Sequence, residues 1–476
     1  MTRSFARILL ACLAVCAVVA APAQANKTQS LSFDAPHDLL NGTKARDSAF
    51  AQLTSLGVHE IRLVLYWRNV APAPNSSQRP NFDATNPAAY NWGQYDSVIQ
   101  DAQARGWPVL LTVSGPVPKW ATRSHKSTIN YPRPTEFQAF MTAVARHYAG
   151  TTVKWYAVWN EPNHPQFLGP QYSSRKRGHR PLSPGIYRQL FLAAFRGMRA
   201  AGVGRPQLLM GETAPRGTGH DVAPLTFLRG ALCLNARYQK SPKCSNLPAV
   251  GYAHHAYTTR LGPFFKPDGP NDVTIGVLGR LSRALDLAAR AGAIRSHMPI
   301  YLTEFGIQSF PDHLLGVSPT QQYEYYAISE RLAYYNPRIA QFSQYLLTDD
   351  KAQRSSVFGK YGGFESGLRW AVKDKMKPAY AAFRLPLVAV LRGRSASIWG
   401  HVRPATAATT ATVLVADRGQ KKFHRLRTVR TNALGYFTFR TSWRKGRRWI
   451  LQWRSPTGQN FSGQPVRAYT PSKRLG

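Results

Sequence analysis

Between residues 26 and 385, eight short apolar runs alternate with longer stretches that carry a helical pattern. The runs are SLSFDA (30–35), EIRLVLYW (60–67), PVLLTVSG (108–115), VKWYAVWNE (153–161), QLLMGET (207–213), VGYAHHAY (250–257), PIYLTEFG (299–306) and IAQFSQYLL (339–347). Between them, segments such as PTEFQAFMTAVARHYAG, GIYRQLFLAAFRGMRAAG, VLGRLSRALDLAARAG and TQQYEYYAISERLAYY place apolar residues three and four apart. That is the spacing of a helix with one buried face. Strands alternating with helices pair in parallel, because the helix returns the chain to the starting edge. Eight such units predict an α/β fold, a (β/α)8 TIM barrel with long insertions. A doubly wound open sheet also satisfies the alternation, but no glycine-rich phosphate loop follows the first run.

After KPAYAAFRLP the pattern shortens. ATVLVAD, FHRLRTVRTN, GYFTFRTSW and RRWILQWRS are alternating runs separated by Gly, Asn and Ser, which predicts a small all-β, sandwich-like domain over 386–476. Its Trp399, Trp443, Trp449 and Trp453 are expected mainly in the core.

The N-terminus has a different role. MTRSFAR is a short basic segment, ILLACLAVCAVVAA an apolar run, and Ala23-Gln24-Ala25 a small-x-small cleavage site. Residues 1–25 therefore read as a signal peptide, with a barrel domain over 26–385, and the protein is expected to be secreted, extracellular or cell-wall associated. Cys12 comes too early for a lipid anchor, and Cys16 follows Val15, which is too large. The remaining cysteines, Cys233 and Cys244, are expected to form one disulfide, with two free thiols as the alternative. No His or second Cys pair lies at ligand spacing near them, so no metal is expected. No internal run reaches the ~18 apolar residues of a membrane span.

Lys and Arg number 62 against 23 Asp and Glu, a formal charge of +39. Eighteen of those cations and a single acid, Asp417, fall between Arg392 and the C-terminus. Such a chain is drawn to polyanions, anionic cell-wall polymers among them, unless the bias is a general one toward basic residues. Nucleic acid is not expected, since no nucleic-acid-binding motif is present. A monomer is expected.

In a barrel of this kind, reactive groups sit at the C-terminal ends of the strands. Glu161 ends the fourth run and Glu304 lies at the end of the seventh, so separate strands can bring them together over one mouth. Two converging carboxylates are what glycosidic bond cleavage needs: one protonates the leaving oxygen, and the other attacks or activates water.

The motifs WNEPN, TEFG and LTSLGVHEIRLVLYWRNV resemble those of the clan A glycoside hydrolases, most closely the cellulase family (glycoside hydrolase family 5) and the related family 39. The resemblance covers about residues 30–385. It implies a polysaccharide or oligosaccharide substrate with β-linkages, no cofactor, and a retaining mechanism. Glu161 would be the general acid/base and Glu304 the nucleophile, ~5–5.5 Å apart. Arg62 would match the clan's strand-2 arginine and is a candidate for substrate contact, Asn160 would bond the sugar 2-hydroxyl, and His255 and Tyr257 would contact the substrate or the nucleophile. His254 takes the place of His255 if the register slips by one. The acid/base role requires Glu161 to keep a proton, so its pKa is expected to be raised, while Arg62 keeps Glu304 ionised.

Glu212 ends the fifth run and is expected to contact a sugar hydroxyl or to support the other groups. Trp67, Trp120 and Trp159 lie at or just past strand ends. Each is a sugar platform or a packing residue, and Trp120 is a candidate for substrate contact. The cellulase family usually has a tryptophan at the end of strand 8, where this chain has Tyr345, so the innermost subsite differs. A catalytically inactive carbohydrate- or wall-binding barrel is the alternative to an enzyme.

Overall fold

The computed structural model describes residues 29–174, 179–353, 359–372 and 375–471; the segment read as a signal peptide lies outside these. The eight apolar runs form β1 (Ser30–Asp34), β2 (Ile61–Tyr66), β3 (Val109–Ser114), β4 (Val153–Val158), β5 (Leu208–Thr213), β6 (Gly251–His255), β7 (Ile300–Glu304) and β8 (Ile339–Tyr345). They pair in parallel in chain order, and the barrel closes where β8 runs beside β1, with Asp34 opposite Tyr345.

The helices α1 (Pro36–Leu39) and α2 (Thr43–Ser55) lie between β1 and β2, and α3 (Trp67–Val70) and α4 (Gly93–Ala104) between β2 and β3. Then come α5 (Pro134–His147), α6 (Ser183–Ala200), α7 (Pro224–Ala231), α8 (Gly279–Arg290) and α9 (Pro319–Tyr334), one in each later interval, and α10 (Pro378–Arg384) follows β8. Six of them start with proline in the first turn, where its missing N–H costs nothing. A reciprocal Ser318–Gln321 cap fixes the start of α9. The predicted three-and-four spacing becomes a buried stripe, Phe137, Phe140, Met141 and Val144 on α5 against the barrel wall. α5 and α6 approach closely at Gly197, where a Cβ would come within 2.4 Å of the Gln138 carbonyl.

Inside the barrel, Leu110, Ala157, Leu209 and Ala253 form a small apolar layer. Two residues further along β3, on the same inner face, stands Thr112, and the filling turns polar toward the C-terminal ends of the strands.

Eight more strands form the second, all-β part: β9 (Leu387–Arg392), β10 (Ser395–His401), β11 (Thr410–Ala416), β12 (His424–Arg430), β13 (Tyr436–Ser442), β14 (Arg448–Arg454), β15 (Asn460–Ser462) and β16 (Val466–Tyr469). Their order is β12-β11-β14-β16-β9-β10-β13, with β15 on β14. β16 pairs with both β14 and β9, so it joins two groups of strands into one path. The part docks on α9: the Arg403 guanidinium donates to Glu330 at 2.7 Å, both fully buried, and Tyr334 packs on Tyr436 and Trp399. Cys233 and Cys244, after α7, are disulfide-bonded. Among the described residues no helix is long and apolar enough to cross a membrane.

Candidate active site

The fourth strand was expected to run through Glu161, but its ladder stops at Val158. The cause is the backbone: Trp159 has φ +69° and Glu161 φ +41°, left-handed conformations that non-glycine residues rarely adopt and that leave the pleat. Neighbouring strands hold this turn. The Trp159 N–H donates to Val113, the Asn160 N–H to the Ser114 hydroxyl, and the Glu161 N–H to the Glu212 carbonyl, all at 3.0 Å. Asn163 anchors the following loop to Ala214 and Val222. Glu161 is thus presented at the barrel mouth, three residues beyond its strand, while Glu304 is the last residue of β7.

Arg62 lies below them, its side chain fully buried. Its guanidinium donates to Asp34 (2.5 Å), to Glu304 Oε2 (3.0 Å), to Asn160 Oδ1 (2.7 Å) and, from two nitrogens, to Glu212 (2.7 and 3.1 Å). This corrects the expectation that Arg62 contacts substrate: every nitrogen is already committed inside the barrel, and what it orients is Glu304 and Asn160. Of the two roles expected for Glu212, the geometry fits support of the other groups: it is buried, and Arg62 and the Thr112 hydroxyl (2.9 Å) occupy its oxygens, so it holds the arginine. Asp34, the last residue of β1, was not anticipated; the only signal was an acid ending the run SLSFD. Burial pushes its carboxyl up to about 7, against the pull of Arg62.

On the strand-6 side, His255 Nδ1 lies 2.9 Å from Glu161 Oε1 and 3.6 Å from Glu304 Oε2. Tyr257 donates its hydroxyl to Glu304 Oε1 at 2.8 Å. His254 faces the opposite way, between the Thr213 hydroxyl and the Val273 carbonyl, and burial pushes its pKa down to about 4. Of the two registers considered for this pair, the structure therefore places His255 at the carboxylates. Burial disfavours a charged His255, but Glu304 and Glu161 outweigh it and raise its pKa. Burial likewise pushes the Glu161 carboxyl up, yet the hydrogen bond and charge of His255 win, and the carboxyl titrates below its ordinary range. The expected raised Glu161 is thus reversed, because a cation is in contact with it.

Above the carboxylates is a cleft of about 230 Å³ lined by Glu161, His164, Arg216, Asp221, Tyr257 and Phe364, among others. Its walls come from the loops after β4 to β8. Where a strand-8 tryptophan was missed in the sequence, Tyr345 packs edge-on against Phe364 at 5.1 Å, and both rings contact Tyr257. Phe364 arrives from the long loop after β8, which no strand-end pattern could reveal. Trp120 is corrected to a packing residue: it is 1% exposed, meets Trp67 edge-on, and donates its indole N–H to Pro72. Trp67 and Trp159 are fully buried as well.

A model of the cellulase family (glycosyl hydrolase family 5) matches residues 23–172, a span that holds β1 to β4 and Glu161. No curated protein matches the chain. Among solved structures, a family 39 glycoside hydrolase from Bacteroides cellulosilyticus WH2 superposes with a TM-score of 0.52 at 15% identity, over 90% of this chain and 81% of that one. A glucosidase from Croceicoccus marinus gives 0.51 at 10% identity, over 88% and 94%. A GH5_18 protein from Streptomyces cattleya, in complex with GlcNAc, gives 0.50 at 15%, over 75% and 79%. At these identities the structures establish a shared fold. Together with the family match and the ordered motifs, they show that this chain resembles the clan A glycoside hydrolases, and among them the cellulase family.

Proposed function

We propose that the protein is a secreted retaining glycoside hydrolase that cleaves a β-linked polysaccharide or oligosaccharide. The observation that carries the reading is the convergence of Glu161 and Glu304 on one nitrogen of His255. Oxygens 2.9 and 3.6 Å from one nitrogen fit the ~5–5.5 Å carboxyl spacing of a covalent two-step mechanism.

In this mechanism a Glu304 oxygen attacks the anomeric carbon as the glycosidic C–O bond breaks, forming a glycosyl ester, and Glu161 gives its proton to the departing oxygen. Water then attacks the ester, Glu161 takes the water's proton, and Glu304 leaves as a carboxylate. Arg62 and Tyr257 donate to Glu304 and keep it aimed. The proton that Glu161 donates is shared with His255. A sugar entering the cleft strips water from the pair and favours its neutral form, with the proton on the carboxyl.

Release of reducing sugar from a panel of polysaccharides and of phenol from aryl β-glycosides tests the reading, with the first-formed anomer followed by NMR. Turnover with retained configuration, lost in Glu304→Ala while folding persists, is expected. Inverted configuration removes the mechanism, and no turnover on a broad panel favours a carbohydrate-binding barrel.

A further inference from the structure

The second, all-β part has an open groove of about 560 Å³ between the β11–β12 turn, the β13–β14 turn and β16. Six of its eleven lining residues are cationic: Arg418, Lys421, Lys445, Arg447, Arg448 and Arg467. The single acid of this part, Asp417, is already paired, with Arg444 at 3.0 Å and Arg447 at 2.5 Å. Arg448 spends one nitrogen on the Gln420 carbonyl, and Arg467 feels Glu324 of α9, whose carboxyl burial pushes up to about 7. The positive charge of the groove is therefore not cancelled from within. Concentrating like charges around a concavity raises the local potential and costs stability unless an anion neutralises it.

The groove also holds Trp443. Trp399, Trp449 and Trp453 are buried in the core, whereas Trp443 packs against that core only in part and lines the groove wall. A flat ring among cations binds a polymer that presents both negative charge and apolar faces at intervals. No large exposed apolar side chain lines the groove; the one such residue among the described residues of this part, Leu434, lies outside it. That argues against insertion into a membrane.

We propose that this groove binds a strand of acidic polysaccharide, its carboxylates on the lysines and arginines and one sugar face on Trp443. The polyanion site stands on the groove alone; the choice of a polysaccharide over a nucleic acid rests on the glycosidase reading of the barrel.

The test measures binding of the full-length protein to polygalacturonate, to neutral hydroxyethylcellulose and to oligo(dT). Polygalacturonate is expected to bind most tightly, with an affinity that falls steeply as salt rises. Arg418→Glu/Lys421→Glu/Lys445→Glu should weaken it by at least about tenfold. Trp443→Ala should weaken polygalacturonate several-fold. Should the triple variant not fold by thermal melt, Lys421→Ala/Lys445→Ala replaces it, with a smaller loss in the same direction. Unchanged binding in the charge variants, equal binding of the neutral polymer, or tighter binding of oligo(dT) would overturn the proposal. Hydrolysis of an aryl β-glycoside by the charge variant should match wild type, so groove and barrel are read separately. Binding without hydrolysis in any form would sink the enzyme and leave the polyanion site.

Discussion

Nδ1 of His255 sits 2.9 Å from Oε1 of Glu161, and this contact makes the two side chains one titrating unit. Their pKa values move apart, the histidine up and the carboxyl down, for the same electrostatic reason. If the pair supplies the acid, the alkaline limb of kcat/KM reports loss of a proton held by a histidine raised above its ordinary 6.5. In His255→Gln the last proton belongs to Glu161 alone. Freed of the cation, that carboxyl rises from its depressed value. The alkaline limb should move from its wild-type position, together with a fall in kcat. A pH–rate profile with an unmoved limb would detach His255 from the acid.

Tyr257 donates to Glu304 while its ring packs on Phe364, 5.6 Å away. Tyr257→Phe removes the first contact and keeps the second. A hydrogen bond to a charged group contributes about 1.5–3 kcal/mol, so kcat/KM should drop roughly 10- to 100-fold with the melting midpoint nearly unchanged. Steady-state kinetics with a thermal melt decides; a large loss of stability would mark Tyr257 as a packing residue instead.

Arg62 neutralises three buried acids at once, Asp34, Glu212 and Glu304. Arg62→Met strands them. A deficit of about 3–5 kcal/mol at pH 8 is expected, together with loss of activity. The stranded carboxylates can take up protons, so the deficit should shrink as pH falls. Urea unfolding at pH 8 and pH 5 reads it, and an equal deficit at both would contradict the charge argument.

Glu60, just before β2, reports on the barrel away from the carboxylate pair. Burial pushes its carboxyl from 4.5 to about 7, opposed by hydrogen bonds with Ser30 and Gln341. The folded state thus binds this proton more tightly than the unfolded chain. The resulting stability is complete below pH 4.5 and is lost as pH rises through about 7. Glu60→Gln keeps the shape without the charge. It should exceed wild type by about 1–3 kcal/mol at pH 8 and lose that advantage at pH 5. Chemical denaturation at the two pH values measures this, and no gain at pH 8 would show that Glu60 is already compensated.

All eight barrel strands could be read from the chain, each within a few residues, because the cues are local: apolar runs of strand length and helices with period 3.6. The early part of the second domain was harder. LVAVLR and SASIWGH form β9 and β10 but lie directly against the end of the barrel pattern, where the helical and alternating textures run together. The pair of glutamates was legible for a different reason, since WNEPN and TEFG each place one acid at a strand end.

What the sequence determined by itself was the order of elements and the types of residue delivered to the barrel mouth, both consequences of short-range pattern. Which of those residues face the cleft was decided only by the closed barrel. Barrel closure and the polar layer beneath the mouth turn Arg62 and Glu212 inward, onto each other, and bury Trp120 against Trp67. They also set His255, and not His254, between Glu161 and Glu304. Those outcomes depend on the register and tilt of strands far apart in the chain, and on a loop that carries Phe364 back over Tyr345. Side-chain periodicity along any one strand contains no information about them, because the contacts that settle them are made across the barrel.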